Sequence, residues 1–291
     1  MKLLTTHITR YWYSEPVSLC HTEVYLAPRA RRSQTVLEHE LTVVPAPEAV
    51  FPREDYFGNP VTFFSIHERH RELIVTSRGL VELAPAPPPN LDLSPPWEDV
   101  REECDRRASP DAFEAAQFTF ESPHIQIGGA LAGYAAISFA PGRHFLDGVN
   151  DLSRRIYTEF KYDPRATTVT TPVNAVLDSR RGVCQDFAHL MIACLRSLRL
   201  PARYISGYLR TGHNYVGGDA SHAWVSAWCP MFGWRDFDPT NNVMPQDGHV
   251  TLAWGRDYSD VSPVKGVVLG GGEQVISVSV DVRAQGLDSA V

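Results

Sequence analysis

Cys184 is the residue of this sequence that is best placed to act as a nucleophile. It begins a segment in which apolar residues recur at three- and four-residue steps, the spacing of an amphipathic helix. Gly182 interrupts regular structure just before it, so the pattern places Cys184 in or near the first helical turn. There the free backbone N–H groups and the helix dipole favour a thiolate, the reactive form of cysteine. From position alone, a catalytic cysteine and a buried structural cysteine are about equally good interpretations.

His222 and Asp238 are candidate partners for this cysteine. A thiolate nucleophile needs a base beside it, and the base needs a third group that fixes its tautomer. His222 opens a predicted strand, and Asp238 ends the next one, where Pro239 stops it. If the two strands are antiparallel neighbours, we expect the Asp238 carboxylate to accept a hydrogen bond from Nδ1–H of His222. Taken separately, His222 also fits an ordinary packed histidine and Asp238 an ordinary turn residue. Their order and their secondary-structure setting together favour a catalytic triad.

The elements that would position these residues divide the chain into two parts. Residues 1–85 read as short alternating runs separated by turn residues, which predicts a β-sandwich-like domain. Residues 86–96 are rich in proline and form the predicted linker. Residues 97–291 are predicted to form the catalytic domain, because helical patterns up to about residue 160 and the Cys184 helix are followed by strands, which indicates an α+β fold. The predicted strands are residues 7–13, 37–44, 61–66, 73–77, 79–83, 202–209, 223–228, 234–238 and 275–282.

The composition narrows the class of protein. A chain of 291 residues with 43% hydrophobic and 21% charged residues is globular and long enough for two domains. Its net charge of -7 does not favour nucleic acid or an anionic membrane as a partner. We expect no signal peptide and no transmembrane helix, since no apolar stretch is long enough for either. The five scattered cysteines form no Cys-x-x-Cys pair, which predicts free thiols in the cytoplasm, no metal and no cofactor.

Three sequence blocks resemble the motifs of the bacterial transglutaminase-like superfamily. They are residues 181–189 (RGVCQDFAH), 221–224 (SHAW) and 233–241 (GWRDFDPTN). The resemblance extends to residues 160–162, 170–172, 249–250 and 255–263. Residues 1–85 also resemble the β-rich region that accompanies this core in bacteria. The resemblance covers nearly the whole chain and implies a papain-like fold for residues 97–291, with the cysteine helix packed on an antiparallel sheet.

By this resemblance Cys184 is the nucleophile, His222 the base and acid, and Asp238 the residue that orients His222. The implied reaction is acyl transfer, in which Cys184 attacks a carboxamide carbonyl of a peptide or protein substrate and a thioester forms. The tetrahedral oxyanion needs hydrogen-bond donors, and the backbone N–H of Cys184 is a natural one at a helix start. Further candidates for oxyanion or substrate contacts are Gln185, Tyr162 and Trp224.

The triad does not decide which nucleophile releases the acyl group. Water makes the protein a cysteine protease or amidase, and an amine makes it a transglutaminase. Trp224, Trp228 and Trp234 could exclude water and favour amines, although aromatic residues at strand spacing are more often core. We favour hydrolysis, because bacterial proteins of this organisation are commonly described as cysteine proteases. The chain has no recognisable calcium loop, which argues against the calcium-regulated animal type.

Two interpretations without acyl transfer stay open. A peptide-binding scaffold could keep the fold, but such a protein typically loses one member of the triad, and this chain keeps all three. A zinc site could use Cys184, His189 and His222, but their spacing matches no zinc motif. His189 comes five residues after Cys184 and points away from it on a helix, so we expect it to be structural or to line a substrate groove.

Overall fold

The N-terminal third of the chain forms a β-sheet that is folded into two layers. The computed structural model describes residues 1–84, 87–212, 215–218 and 220–285. The strands of this part are β1 (Lys2–Val24), β2 (Gln34–Val44), β3 (Ala49–Glu54), β4 (Pro60–Ile66) and β5 (His70–Leu83). β1 belongs to both layers, because its first half pairs with β5 and its second half with β4. Val17, Phe64 and Val75 meet in the core between them. The strand-rich architecture predicted for residues 1–85 is confirmed, with one continuous β5 where we predicted two strands.

The helices predicted after residue 97 are present and surround the Cys184 segment. They are α1 (Trp97–Arg106), α2 (Pro110–Ala116), α3 (Gly129–Ala136), α4 (Phe145–Glu159), α5 (Val173–Ser179) and α6 (Cys184–Ser197). α6 is central, because α3, α4 and α5 pack against it and its residues from Asp186 to Arg196 are all buried. Two short strands, β6 (Lys161–Tyr162) and β7 (Arg181–Gly182), pair in parallel just before Cys184. None of the described helices is long and apolar enough to cross a lipid bilayer.

An antiparallel sheet supports α6. Its strands are β8 (Ala202–Leu209), β9 (His222–Cys229), β10 (Gly233–Phe237) and β11 (His249–Gly255), in the order β10-β9-β8-β11. Alternation along β9 turns Ala223, Val225 and Ala227 toward α6 and Trp224 toward the N-terminal sheet. The helix-on-sheet core that the resemblance implied is confirmed. β11 was not among the predicted strands.

The C-terminal strands join the N-terminal sheet, which corrects the predicted extent of the catalytic domain. β12 (Val264–Gly270) and β13 (Gln274–Ala284) pair with β1, β12 along its second half and β13 along its first. The strand predicted at residues 275–282 is present, but not in the domain to which we assigned it. The reason is that β5 and β4 occupy only one edge of β1, so the other edge needs partners. A local pattern predicts that a segment is extended, but not which edge it joins.

Side-chain amides from the N-terminal part complete the edge of β11. Among the described residues the core sheet ends at this strand. The Gln34 amide donates to the Thr251 carbonyl (2.7 Å) and accepts from the Thr251 N–H (2.9 Å). The Asn59 amide makes the same pair of bonds with Trp254, at 2.8 and 2.9 Å. Both amides are buried, so they replace a neighbouring strand and fix β11 against the N-terminal sheet.

Candidate active site

Cys184 is the first residue of α6 and stays partly exposed. The turn that precedes it is held by Asp186, whose Oδ2 accepts the Val183 N–H (2.8 Å) and the Thr167 hydroxyl (2.6 Å). A Cβ atom on Gly182 would lie only 2.7 Å from this oxygen, so the capped turn requires glycine. Burial raises the pKa of Asp186 despite these two bonds. Because Asp186 caps the helix, Cys184 stands at a well-fixed, positively polarised helix end.

His222 lies between Cys184 and Asp238, with its side chain fully buried. Its Nε2–H donates to Asp238 Oδ2 at 2.8 Å. We predicted that Nδ1 would make this bond, and the structure corrects that prediction. His222 is the first residue of β9 and Asp238 follows β10, so the edge of the imidazole that carries Nε2 reaches across to the carboxylate. Nδ1 faces the cleft instead, where a Cβ atom on Gly217 would lie 3.4 Å away.

The charge state of His222 follows from its two partners. Burial alone would lower the pKa of His222, but the Asp238 carboxylate and Cys184 outweigh it and raise the pKa to about 10. His222 is therefore an imidazolium at neutral pH. Nε2 is occupied by Asp238, so Nδ1 is the ring nitrogen that can face the Cys184 thiol. Within the described residues no atom meets the hydrogen-bond geometry with Nδ1. Contacts between a nucleophile and its base often tighten only when a substrate binds.

Asp238 is a buried carboxylate with donors on both oxygens. Oδ1 accepts the backbone N–H groups of Thr240 (2.9 Å) and Asn241 (3.2 Å). Oδ2 accepts Nε2–H of His222, Nε2–H of His249 (3.1 Å) and the Asn241 side-chain amide (2.8 Å). Burial alone would raise the pKa of Asp238, but His222 and then His249 hold it well below its usual range. The carboxylate is therefore ionised and can hold the imidazolium in place.

Tyr162 and residues 215–218 border the cleft beside His222. The pairing of β6 with β7 sets Tyr162 next to Gly182, two residues before the cysteine. A Cβ atom on Gly217 would lie 3.3 Å from the Tyr162 hydroxyl, as close as it would lie to His222 Nδ1. Gly217 also has a φ of +83°, which a glycine adopts without strain. The Tyr162 hydroxyl and His222 Nδ1 thus both border Gly217.

The other two predicted contact residues occupy different positions. The Gln185 side-chain amide donates to the Val169 carbonyl at 3.3 Å, so it faces the loop before α5. Trp224 is fully buried behind the triad, with its ring centroid 6.2 Å from that of His222 and 5.2 Å from that of His249. Neither position supports the predicted contact with substrate or oxyanion.

His189 is a buried structural residue. Its ring stacks on His124 at 5.3 Å and packs against Tyr204 at 5.0 Å. Its Nε2 accepts the Tyr258 N–H at 3.2 Å, and burial lowers the pKa of His189, so the ring is neutral. It does not join Cys184 in a set of zinc ligands. The described residues contain a single group of three potential metal ligands, which consists of His222, Asp238 and His249. There both Nε2–H groups donate to one carboxylate oxygen, which is the geometry of a hydrogen-bond network.

We assigned no role to Asn241 or His249 from the sequence, although both lie in blocks that resemble the superfamily and both contact Asp238. Asn241 also accepts the Val216 N–H at 2.7 Å and so ties the cleft border to the triad. An asparagine three residues after an aspartate is typical of a turn held by side chains, and this signal could have indicated Asn241. The resemblance at residues 249–250 did not indicate what His249 contacts, because it reaches Asp238 only through the pairing of β11 with β8.

Two family models match the chain. Residues 3–82 match the bacterial transglutaminase-like N-terminal region, and residues 137–239 match the transglutaminase-like superfamily. An uncharacterised protein of Mycobacterium tuberculosis is 40% identical over 290 residues, which cover 95% of this chain and 91% of the relative. One of Mycobacterium leprae is 33% identical over 286 residues, which cover 97% and 98%.

Two further similarities concern proteins whose names state an activity. A protein-glutamine gamma-glutamyltransferase of Pseudomonas aeruginosa is 35% identical over 108 residues, which cover 33% of this chain and 16% of that protein. A crystal structure of a candidate cysteine protease from Cytophaga hutchinsonii has a TM-score of 0.75 at 22% identity, and the match covers all of this chain and 92% of the other. At this level of identity the structural match concerns the fold.

Proposed function

The chain belongs to the transglutaminase-like superfamily, and we propose that it is a thiol acyl-transfer enzyme that hydrolyses amide bonds in peptides or proteins. The observation that carries the proposal is the buried His222 imidazolium, which has the Asp238 carboxylate on one ring nitrogen and Cys184 on the side of the other. A charged imidazolium beside the sulfur stabilises a thiolate, and Cys184 stands at the positive end of a helix. The residues are thus arranged for nucleophilic attack.

The proposed reaction has two steps. In the first, the Cys184 thiolate attacks the carbonyl carbon and a C–S bond forms, while the backbone N–H of Cys184 and the Tyr162 hydroxyl bind the oxyanion. The C–N bond breaks as Nδ1–H of His222 protonates the leaving amine or ammonia. In the second, the neutral Nδ1 takes a proton from water, which attacks the thioester. The acid product leaves, and the thiolate and the imidazolium are restored.

Transamidation is the second candidate function. It is favoured by the similarity of 108 residues to the Pseudomonas aeruginosa glutamyltransferase, since an amine can replace water in the second step without any change in the triad. A binding scaffold is a weaker candidate, because a scaffold typically loses a triad member, whereas this chain keeps all three and His222 is hydrogen-bonded to Asp238. We further propose a reducing compartment such as the cytoplasm, which the five unpaired cysteines favour.

Alkylation with iodoacetamide as a function of pH tests the thiol first. Cys184 is the partly exposed cysteine, and burial raises the pKa of the thiols of Cys104, Cys194 and Cys229, so a Cys184→Ala control should show little background. We expect rapid alkylation of the wild type at pH 6. Asp238→Asn should react more slowly at that pH, because the carboxylate that holds the His222 imidazolium is lost. If both proteins react only near pH 8.5, the proposed function is wrong.

A peptide assay then separates the candidate functions. Glutamine-containing peptides are incubated with the wild type and with Cys184→Ala, with and without a biotinylated primary amine, and the products are identified by mass spectrometry. Shortened peptides or conversion of glutamine to glutamate indicates hydrolysis. Amine adducts that need Cys184 indicate transamidation. Binding of peptides by both proteins, with no product from either, indicates a scaffold.

A further inference from the structure

His249 is a buried histidine that the reaction above does not use. It is the first residue of β11, and its Nε2 lies 3.1 Å from Asp238 Oδ2. An ionised carboxylate oxygen can only accept hydrogen bonds, so Nε2 of His249 carries a hydrogen and donates it. We infer that His249 is a positioning residue, which fixes the Asp238 carboxylate so that His222 stays aligned with Cys184. This inference rests on the function proposed above.

The two oxygens of Asp238 are held in different ways. Oδ1 accepts from backbone N–H groups of the turn that contains Asp238, so these donors move with it. Oδ2 is held by side chains, two of which come from other strands, namely His222 and His249. When His222 gives up its Nδ1 proton it becomes neutral, and its hydrogen bond to Oδ2 weakens. The His249 ring takes no part in the proton transfer, so its bond keeps the carboxylate in place through that step.

The surroundings of His249 fix its position. Trp224 meets the ring edge-on with 5.2 Å between centroids, and Tyr215 does so from another side at 5.4 Å. Two residues further along β11, the Gln34 amide holds Thr251 through both backbone groups. The imidazole is thus placed by the N-terminal part of the chain as well as by the core sheet.

Asp238 is the hydrogen-bond partner that the structure shows for the His249 ring, beside which lies a small cavity. The cavity has a volume of about 20 Å³, enough for one water molecule, and Trp224 and His249 both line it. Trp224 Nε1 and His249 Nδ1 are buried and make no hydrogen bond within the described part of the chain. Among the described residues, the hydrogen bond of the His249 ring is therefore the one between Nε2 and Asp238 Oδ2.

Two substitutions of His249 separate the contribution of its N–H donor from that of its ring packing. In His249→Gln, the side-chain amide can place an N–H near the position of Nε2. In His249→Phe, the ring packing against Trp224 and Tyr215 is kept, but the donor is lost. Both full-length variants are compared with the wild type by thermal unfolding, by the pH profile of Cys184 alkylation and by NMR titration of the His222 ring. We expect His249→Phe to fold, to lower the pKa of His222 by about one unit and to move the low-pH limb of alkylation upward by about one unit. In His249→Gln, the pKa of His222 and the low-pH limb of alkylation should both stay near their wild-type values.

The direction in which the pKa of His222 shifts distinguishes positioning of the carboxylate from a purely electrostatic effect of His249. If the carboxylate stayed in place without its His249 donor, it would be a stronger acceptor and the pKa of His222 would rise. A rise in His249→Phe, or no change, therefore overturns the inference, as does a shift of equal size in His249→Gln. If the wild-type thiol proves unreactive at low pH, the proposed function fails. The His222 titration needs no reactive thiol, so it still decides the role of His249.

Discussion

Replacing Gln34 tests whether its amide acts as part of the core sheet. Gln34→Leu keeps the approximate volume but removes two bonds to Thr251 and a third to the Arg29 carbonyl, at 2.7, 2.9 and 2.8 Å. The Thr251 carbonyl still accepts the Arg29 N–H, so the buried Thr251 N–H and the Arg29 carbonyl are the groups left without these partners. Each unsatisfied group costs about 1–3 kcal/mol, so we expect a loss of about 3 kcal/mol in the free energy of unfolding.

Thermal unfolding measures this loss directly. For a protein of this size about 3 kcal/mol corresponds to a decrease in melting temperature of roughly 6–12 °C. Thr35→Val is the matched control, because Thr35 is exposed in the same strand and its replacement should change the free energy of unfolding by no more than about 0.5 kcal/mol. If Gln34→Leu melts within a degree of this control, the amide does not complete the sheet edge and the reasoning is refuted.

Two more predictions concern the helix cap and the response to acid. Gly182→Ala should lower the melting temperature and slow Cys184 alkylation at pH 6, because its Cβ would collide with Asp186, whereas Gly133→Ala has open space and should do neither. Burial lowers the pKa of His7 from 6.5 to about 4, so the neutral ring favours folding above pH 6.5 and this contribution is lost as the pH falls to 4. His7→Gln should therefore reduce the acid destabilisation between these pH values by about 3 kcal/mol in denaturant titrations; equal slopes for both proteins would contradict this.

The elements around the candidate site were predictable because their signals are local. β8 has the predicted bounds, and α6 begins at Cys184, since apolar spacing and a preceding glycine are visible within a few residues. The bounds of α6 and β8 depend on residues within a single element. The candidate triad, by contrast, came from the order of Cys184, His222 and Asp238 and from the resemblance of three sequence blocks.

Features that depend on distant pairing were not predictable. β11 was missed, and with it the contact of His249 with Asp238, because that contact exists only after β11 pairs with β8. Of the two C-terminal strands that continue one another along β1, only the second was predicted, and it was assigned to the catalytic domain. The ring nitrogen that bonds Asp238 was also predicted wrongly, because the choice depends on the separation of two strands, which the sequence pattern does not contain.

The pairing of β1 with β13 affects the order in which the protein can fold during synthesis. Leu3 pairs with Ala284 and Tyr13 with Gln274, so β1 must wait until β13 has been synthesised. At 5–20 residues per second the wait is roughly 15–55 s. Over this time one edge of β1 is open and can pair with another chain. The helices and strands around Cys184 have nearer partners and can form earlier. A nascent chain that stops before residue 274 would therefore combine a formed core with an open, aggregation-prone first strand.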